Sequence, residues 1–136
     1  MEIEIFSLCD FAQDNQGKFT VVGTFDTIFS HNTPIIHRSC FVALKFRVAN
    51  SEAGQHHFEI RGLTPDKEVF NSVKGAGESK PNPNADYAST NLPIPLHNLK
   101  FDKFGKYAFE LYFDGEFRSG LSLYLVQMPI NLVKAA

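Results

Sequence analysis

The residues best equipped for chemistry are five histidines, two cysteines and a scatter of aspartates. His31, His37 and Cys40 fall within ten residues and, with Cys9, supply the nitrogen and sulfur ligands that zinc takes. Zinc sites carry tighter paired spacing, such as Cys-x2-Cys, and no such pair occurs. His56 and His57 are adjacent, so on a strand they point to opposite faces and cannot grip one ion together. His56 falls on the face of Phe58 and Ile60, as a core-edge residue, and His57 shares the wet face with Glu59 and Arg61. His37 follows Pro34, Ile35 and Ile36 just before a strand, where an imidazole can donate to a backbone carbonyl and pin a loop. Nucleophilic catalysis needs a Ser or Cys beside a His on a strained turn, and no Gly-x-Ser-x-Gly elbow is present. Gly75-Ala76-Gly77 leads toward Lys80 and Pro81, not into a helix whose N-terminus would hold a phosphate.

Asp10 and Asp14 flank a polar turn, while Asp26, Asp102 and Asp114 stand near strand ends. Aspartates clustered on the loops at one end of a sandwich bind calcium, which makes this the sharpest ligand alternative. A dense Asp-x-Asp pattern is missing, however, and turn aspartates ordinarily hydrogen-bond their own backbone. Sugar platforms favour exposed Trp, and the chain has none. Its 14 Phe mostly alternate onto inward faces. Phe6, Phe41, Tyr112 and Tyr124 fall opposite the best apolar rows. Tyr112 and Tyr124 lie on strands joined by one turn, are expected to be neighbours, and with Phe41 form the candidate interaction surface, for a partner chain or a covering loop.

The elements that must position these residues repeat with a period of two. In CFVALKFRV, Cys40, Val42, Leu44, Phe46 and Val48 share one face, and Lys45 and Arg47 the other. GKYAFELYF repeats this with Tyr107, Phe109, Leu111 and Phe113 inward, and Phe117, Leu121, Leu123 and Leu125 continue it beyond Asp114-Gly115. That dipeptide suits a type I′ hairpin turn, whose two central positions both need positive φ. Further strands are predicted near residues 2–9, 18–29, 56–63, 68–73 and 87–96, with turns at 13–17, 51–54 and 64–67. No window holds a 3.6-residue apolar period. About eight strands without intervening helices predict one all-β domain over residues 1–136, an antiparallel two-sheet β-sandwich.

Residues 74–86 read KGAGESKPNPNAD, without a large apolar side chain, and predict a long flexible surface loop. Pro93 and Pro95 lack ladder donors, which puts LPIPLH at a sheet edge with Leu92, Ile94 and Leu96 inward.

Composition bounds the function. The chain has 136 residues, 43% hydrophobic and 21% charged, enough for one core and too ordered in composition for disorder. Thirteen basic against fifteen acidic residues give −2, without the positive field that nucleic acid requires. The opening Met-Glu-Ile-Glu-Ile puts acidic residues where a leader would be basic, and no apolar run approaches membrane-spanning length. Two cysteines in apolar stretches read as buried free thiols, so a cytoplasmic location is expected.

Three stretches carry a resemblance. They are VVGTFDTIF (residues 21–29) with Pro34, His37 and the strand from Cys40; SEAGQHHFEIR (51–61); and LHNLKFDKFGKYAFELYFDGE (96–116). In this order and spacing they resemble a bacterial family of small single-domain proteins known only as a domain of unknown function. The resemblance spans nearly the whole chain outside residues 74–86. It implies an immunoglobulin-like or C2-like sandwich and carries over no catalytic residues. The expectation is a binding or structural module that is not an enzyme, with no cofactor and no metal, whose partner is another protein or a second copy. A phage or particle assembly component, and a calcium- or zinc-binding module or small hydrolase, are the alternatives.

Overall fold

The computed structural model describes residues 1–129, which form nine strands and one 3-10 turn. The strands are β1 (Glu2–Asn15), β2 (Lys18–Thr24), β3 (Thr27–Ser30), β4 (Ile35–Ala49), β5 (Gly54–Leu63), β6 (Val69–Ser79), β7 (Tyr87–Phe101), β8 (Gly105–Phe113) and β9 (Glu116–Gln127). They build one sheet in the order β2-β1-β4-β7 and a second in the order β3-β9-β8-β5-β6. Every pairing is antiparallel except β3 with β9, which run parallel. The all-β, two-sheet architecture follows from the alternation in the sequence. The count is nine because the stretch expected as one strand over 18–29 divides at Phe25 and Asp26, just after Gly23 (φ 68), and its halves join different sheets.

Alternation builds the core between the sheets. Val42, Leu44 and Phe46 of β4, Ile94 and Leu96 of β7, and Tyr107, Phe109 and Leu111 of β8 are all buried. Each large apolar side chain so placed contributes about 1.5–3 kcal/mol. A second, smaller core lies on the other face of the first sheet, where Cys9, Ala12 and Ala43 are buried among Ile5, Phe19, Val21 and Phe41. The long β1–β2 hairpin covers that face, and its tip is tied to β7 by Asn91 Nδ2, which donates to Asp14 Oδ1 at 2.9 Å and to the Gly17 carbonyl.

Three phase shifts redirect side chains from their expected faces. An irregularity between Ile3 and Ile5 turns Phe6 onto the core face, beside Leu44. In β9 an extra residue opposite Leu111 and Tyr112 turns Phe117 outward, so the inward placement expected for it fails and it stands 54% exposed. In β4 and β7, alternation breaks near residues 38–39 and 97–98, where Asn98 adopts φ 53, and Ile36 is left exposed.

The loop expected over 74–86 is shorter. β6 continues to Ser79, with Glu59 opposite Lys74 and Gly54 opposite Ser79, so residues 74–79 are strand and 80–86 make the connection. The glycines there mark close approach rather than a turn. A Cβ on Gly75 would stand 2.6 Å from the Phe58 ring, and one on Gly77 would touch Leu92. The connection itself is tied down: Asn50 Nδ2 donates to the carbonyls of Asn82 and Ala85, and Asn82 N–H donates to Asn50 Oδ1 at 2.9 Å. β7 lies at the sheet edge, with Leu92, Ile94 and Leu96 packed inward as the prolines implied. No helix among the described residues is long and apolar enough to cross a membrane.

Candidate functional site

The β8–β9 hairpin turns on two residues, Asp114 (φ 50) and Gly115 (φ 84), both with the positive φ of a type I′ turn. Asp114 does more than turn the chain. Its Oδ1 accepts the His57 backbone N–H at 2.9 Å, and its Oδ2 lies 2.7 Å from His56 Nδ1. His56 Nε2 lies 2.7 Å from the Glu52 carbonyl, and the ring stacks on Phe113 with centroids 4.9 Å apart. A carboxylate on one nitrogen and a carbonyl on the other are both acceptors, so the arrangement is complete only when both nitrogens carry protons. The hydrogen bond to Asp114 accordingly raises the His56 pKa. Burial pushes the Asp114 carboxyl up and is outweighed by the His57 N–H and the His56 ring, which bring it below its ordinary value. With both ring nitrogens engaged, His56 fastens β5 to the hairpin and has no free nitrogen for a substrate.

Beside this fastening, the outer face of the second sheet carries an aromatic and charged row. Phe117 of β9 meets Tyr112 of β8 edge to face, with centroids 5.8 Å apart. The Arg61 guanidinium of β5 lies over the Tyr112 ring, 3.9 Å from its centroid. Arg61 is aimed by Glu59, 3.0 Å away, and Glu59 also accepts from Ser72 of β6. The Arg61 hydrogen bond holds the Glu59 carboxyl below its ordinary value, so it stays ionised and keeps the guanidinium in place. An open depression of about 240 Å³ adjoins the row, lined by His57, Phe58, Glu59, Lys74, Tyr112 and Gly115. Such a surface offers an apolar ring to stack on, a fixed guanidinium and an accessible imidazole. Tyr, Phe and Arg are the types that concentrate contact energy in protein interfaces.

The three residues expected to form an interaction surface are not brought together. Tyr124 pairs with Lys106, six residues along β8 from Tyr112, roughly 20 Å at strand spacing, so the expected adjacency fails. Tyr124 stands near Phe29 and Val126, which oppose each other on β3 and β9 and are themselves exposed. Phe41 belongs to the small core under the β1–β2 hairpin, edge to face with Phe11, so a covering element rather than a partner accounts for it.

The remaining candidates also disperse. Cys40 faces the main core and Cys9 the smaller one, both free, and burial pushes the Cys40 thiol up to about 11. His37 sits within β4 rather than before it. Its Nε2 has no hydrogen-bond partner among the described residues, and its ring packs near Phe25, so the expected loop-pinning bond is replaced by an aromatic contact. His31 Nδ1 lies 3.1 Å from the Met128 carbonyl. Asp14 bonds Asn91, Asp26 bonds Thr27 and Asp102 pairs with Lys100. Among the described residues no three His, Cys, Asp or Glu side chains converge on one point.

Sequence reasoning reached Tyr112 but missed Phe117 and Arg61. Phe117 was hidden by the bulge, which reverses its face. Arg61 was legible as a wet-face residue four positions along β5 from His57 on the same face, but its ring partner depends on which strands are neighbours. Residues 4–126 match DUF6941, described as a family of unknown function. No curated protein matches the chain.

Proposed function

We propose, from the premise that the chain belongs to DUF6941, that it is a non-catalytic binding module whose contact surface is the outer face of the second sheet at Tyr112, Phe117 and Arg61. The observation that carries this reading is the bulge in β9. It turns a large apolar ring to solvent beside a tyrosine that a guanidinium already covers. Leaving such a ring exposed forfeits the burial its neighbours gain, and a partner that covers it recovers that contribution. Absence of catalysis is part of the same proposal and is supported by His56, which has both nitrogens engaged. A cytoplasmic setting is supported by two thiols buried on opposite faces of one sheet. The finer sandwich type, immunoglobulin-like or C2-like, is likewise proposed on the two stacked sheets.

A photo-crosslinking amino acid at position 117, in cells that encode the protein, tests this. A discrete adduct is expected from position 117, absent with the same probe at exposed Val69, and weakened by Arg61→Ala. No adduct, or equal adducts from both positions, overturns the assignment.

A further inference from the structure

The edge of β6 adjoins the Tyr112 face, sharing Lys74 with the depression there, and it offers backbone groups that the aromatic row does not. Each sheet of a sandwich leaves two edge strands, and an edge with free N–H and C=O groups pairs with another strand unless something blocks it. β7 is blocked by Pro93 and Pro95, β3 has only four residues, and β2 is bent at Gly23. β6 has no proline in eleven residues.

The direction of its backbone groups follows from its neighbours. The His57 carbonyl accepts from Asp114 N–H at 2.7 Å, and His57 N–H donates to the Asp114 carboxylate, so residue 57 turns its polar groups toward β8. Within a strand these directions alternate, so His56, Phe58 and Ile60 face β6 and bond their partners Gly77, Gly75 and Val73. Lys74, Ala76 and Glu78 therefore turn their N–H and C=O groups to the open edge. Their side chains are exposed, and neither Lys74 nor Glu78 makes an ion pair among the described residues.

We propose that β6 pairs antiparallel with β6 of a second copy, about a two-fold axis at Ala76. This register sets Lys74 opposite Glu78 of the second copy, twice over by symmetry. It makes Ala76–Ala76 and both Lys74–Glu78 pairs the hydrogen-bonded kind, and it opposes only small residues, Gly75 with Gly77, beside the axis. Shifting the axis to the next outward residue on either side sets Lys74 against Lys74 or Glu78 against Glu78. Like charges directly opposed are unfavourable, so charge selects the register. The second sheets of the two copies then form one continuous sheet.

Sedimentation of the full chain, with the series extended to roughly millimolar concentration, reads the outcome. The wild-type mass should rise toward that of a dimer. Ala76→Pro removes an N–H that makes no bond among the described residues, so it should keep its circular dichroism and stay monomeric. Lys74→Glu and Glu78→Lys should each weaken the dimer tenfold or more, and the double variant Lys74→Glu with Glu78→Lys should restore it. A wild-type protein that stays monomeric throughout overturns the proposal. So does a dimer indifferent to the single charge changes, or a double variant no stronger than either single one. Should Ala76→Pro fail to fold, the charge exchange decides alone.

Discussion

β6 and β7 lie on the same side of the sandwich, one at the edge of each sheet, and they are built in opposite ways. β7 is paired with β4 along its whole length, from Tyr87 opposite Ala49 to Phe101 opposite Ile35, and its prolines deny the outer side to any further strand. Among the described residues β6 pairs with β5 alone, and it is glycine that fits it there, because Phe58 and Leu92 occupy the space that side chains would take. Its link to β7 is slight: Ser79 Oγ lies 2.8 Å from Thr90 Oγ1, and the 80–86 connection is held by Asn50. The prolines, read from the sequence as marks of an edge strand, close one edge, and the glycines, read there as part of a loop, keep the other flat. What decides between break and strand is the neighbour on the paired side.

The largest effect should come from filling the space over β6. Gly75→Val drives a branched side chain into the Phe58 ring and should cost about 1–3 kcal/mol, seen as a lower melting temperature. Pro95→Val on β7 should stay within about 0.5 kcal/mol, since only the solvent side of an edge strand is altered. Equal losses at both positions would erase the contrast.

The fastening of β5, on which β6 depends, gives the next effect. His56 is raised above its ordinary value, so its contribution is complete below the unfolded pKa near 6.5 and is lost as pH rises through the folded value. Asp114 is lowered, so its contribution is present above its unfolded value and lost as pH falls through the folded one. The clamp is therefore strongest in mildly acidic solution. His56→Gln should cost about 1–2 kcal/mol near pH 5.5 and progressively less toward pH 9. A wild-type to variant gap that does not change across that range would show that His56 is neutral in the folded protein.

Asn50→Ala removes the ties on the connection and should cost about 1 kcal/mol. Its distinctive sign is faster hydrogen exchange at Asn82 N–H, and an amide that exchanges equally fast in wild type would mean the tie does not hold. The smallest change in stability belongs to Pro93→Thr with Pro95→Thr, within about 0.5 kcal/mol. There the expected sign is association at high concentration by light scattering, as β7 gains the donors that β6 already has; a monodisperse solution would show that the prolines do not guard the edge.

Legibility in the sequence followed the alternation. The strands around Cys40–Val48 and Tyr107–Phe113 and the Asp114-Gly115 turn were plain, because apolar and charged residues alternate without interruption there. The second half of β6 was not, because its reason for being a strand sits in Phe58, on another strand. Phe6 and Phe117 were assigned to the wrong faces because a bulge shifts the phase without leaving a mark in composition. Tyr112 and Tyr124 were separated by register, which the turn fixes but a face assignment alone does not express. Of the face now proposed for binding, one member of three was visible in advance.

The parallel pairing of β3 with β9 has a consequence in time. During synthesis β1, β2 and β4 can begin to pair as they emerge, but β3 is left without β9, its one sheet neighbour among the described residues, until roughly ninety residues later. At about 5–20 residues per second that is an interval of about 5–20 s. Through that interval Ile28, which packs against the core in the finished fold, and the bare edge of β8 are both open to other nascent chains. Chaperone engagement during translation should therefore be concentrated between the emergence of β3 and that of β9, and should end as the last strand closes the sheet.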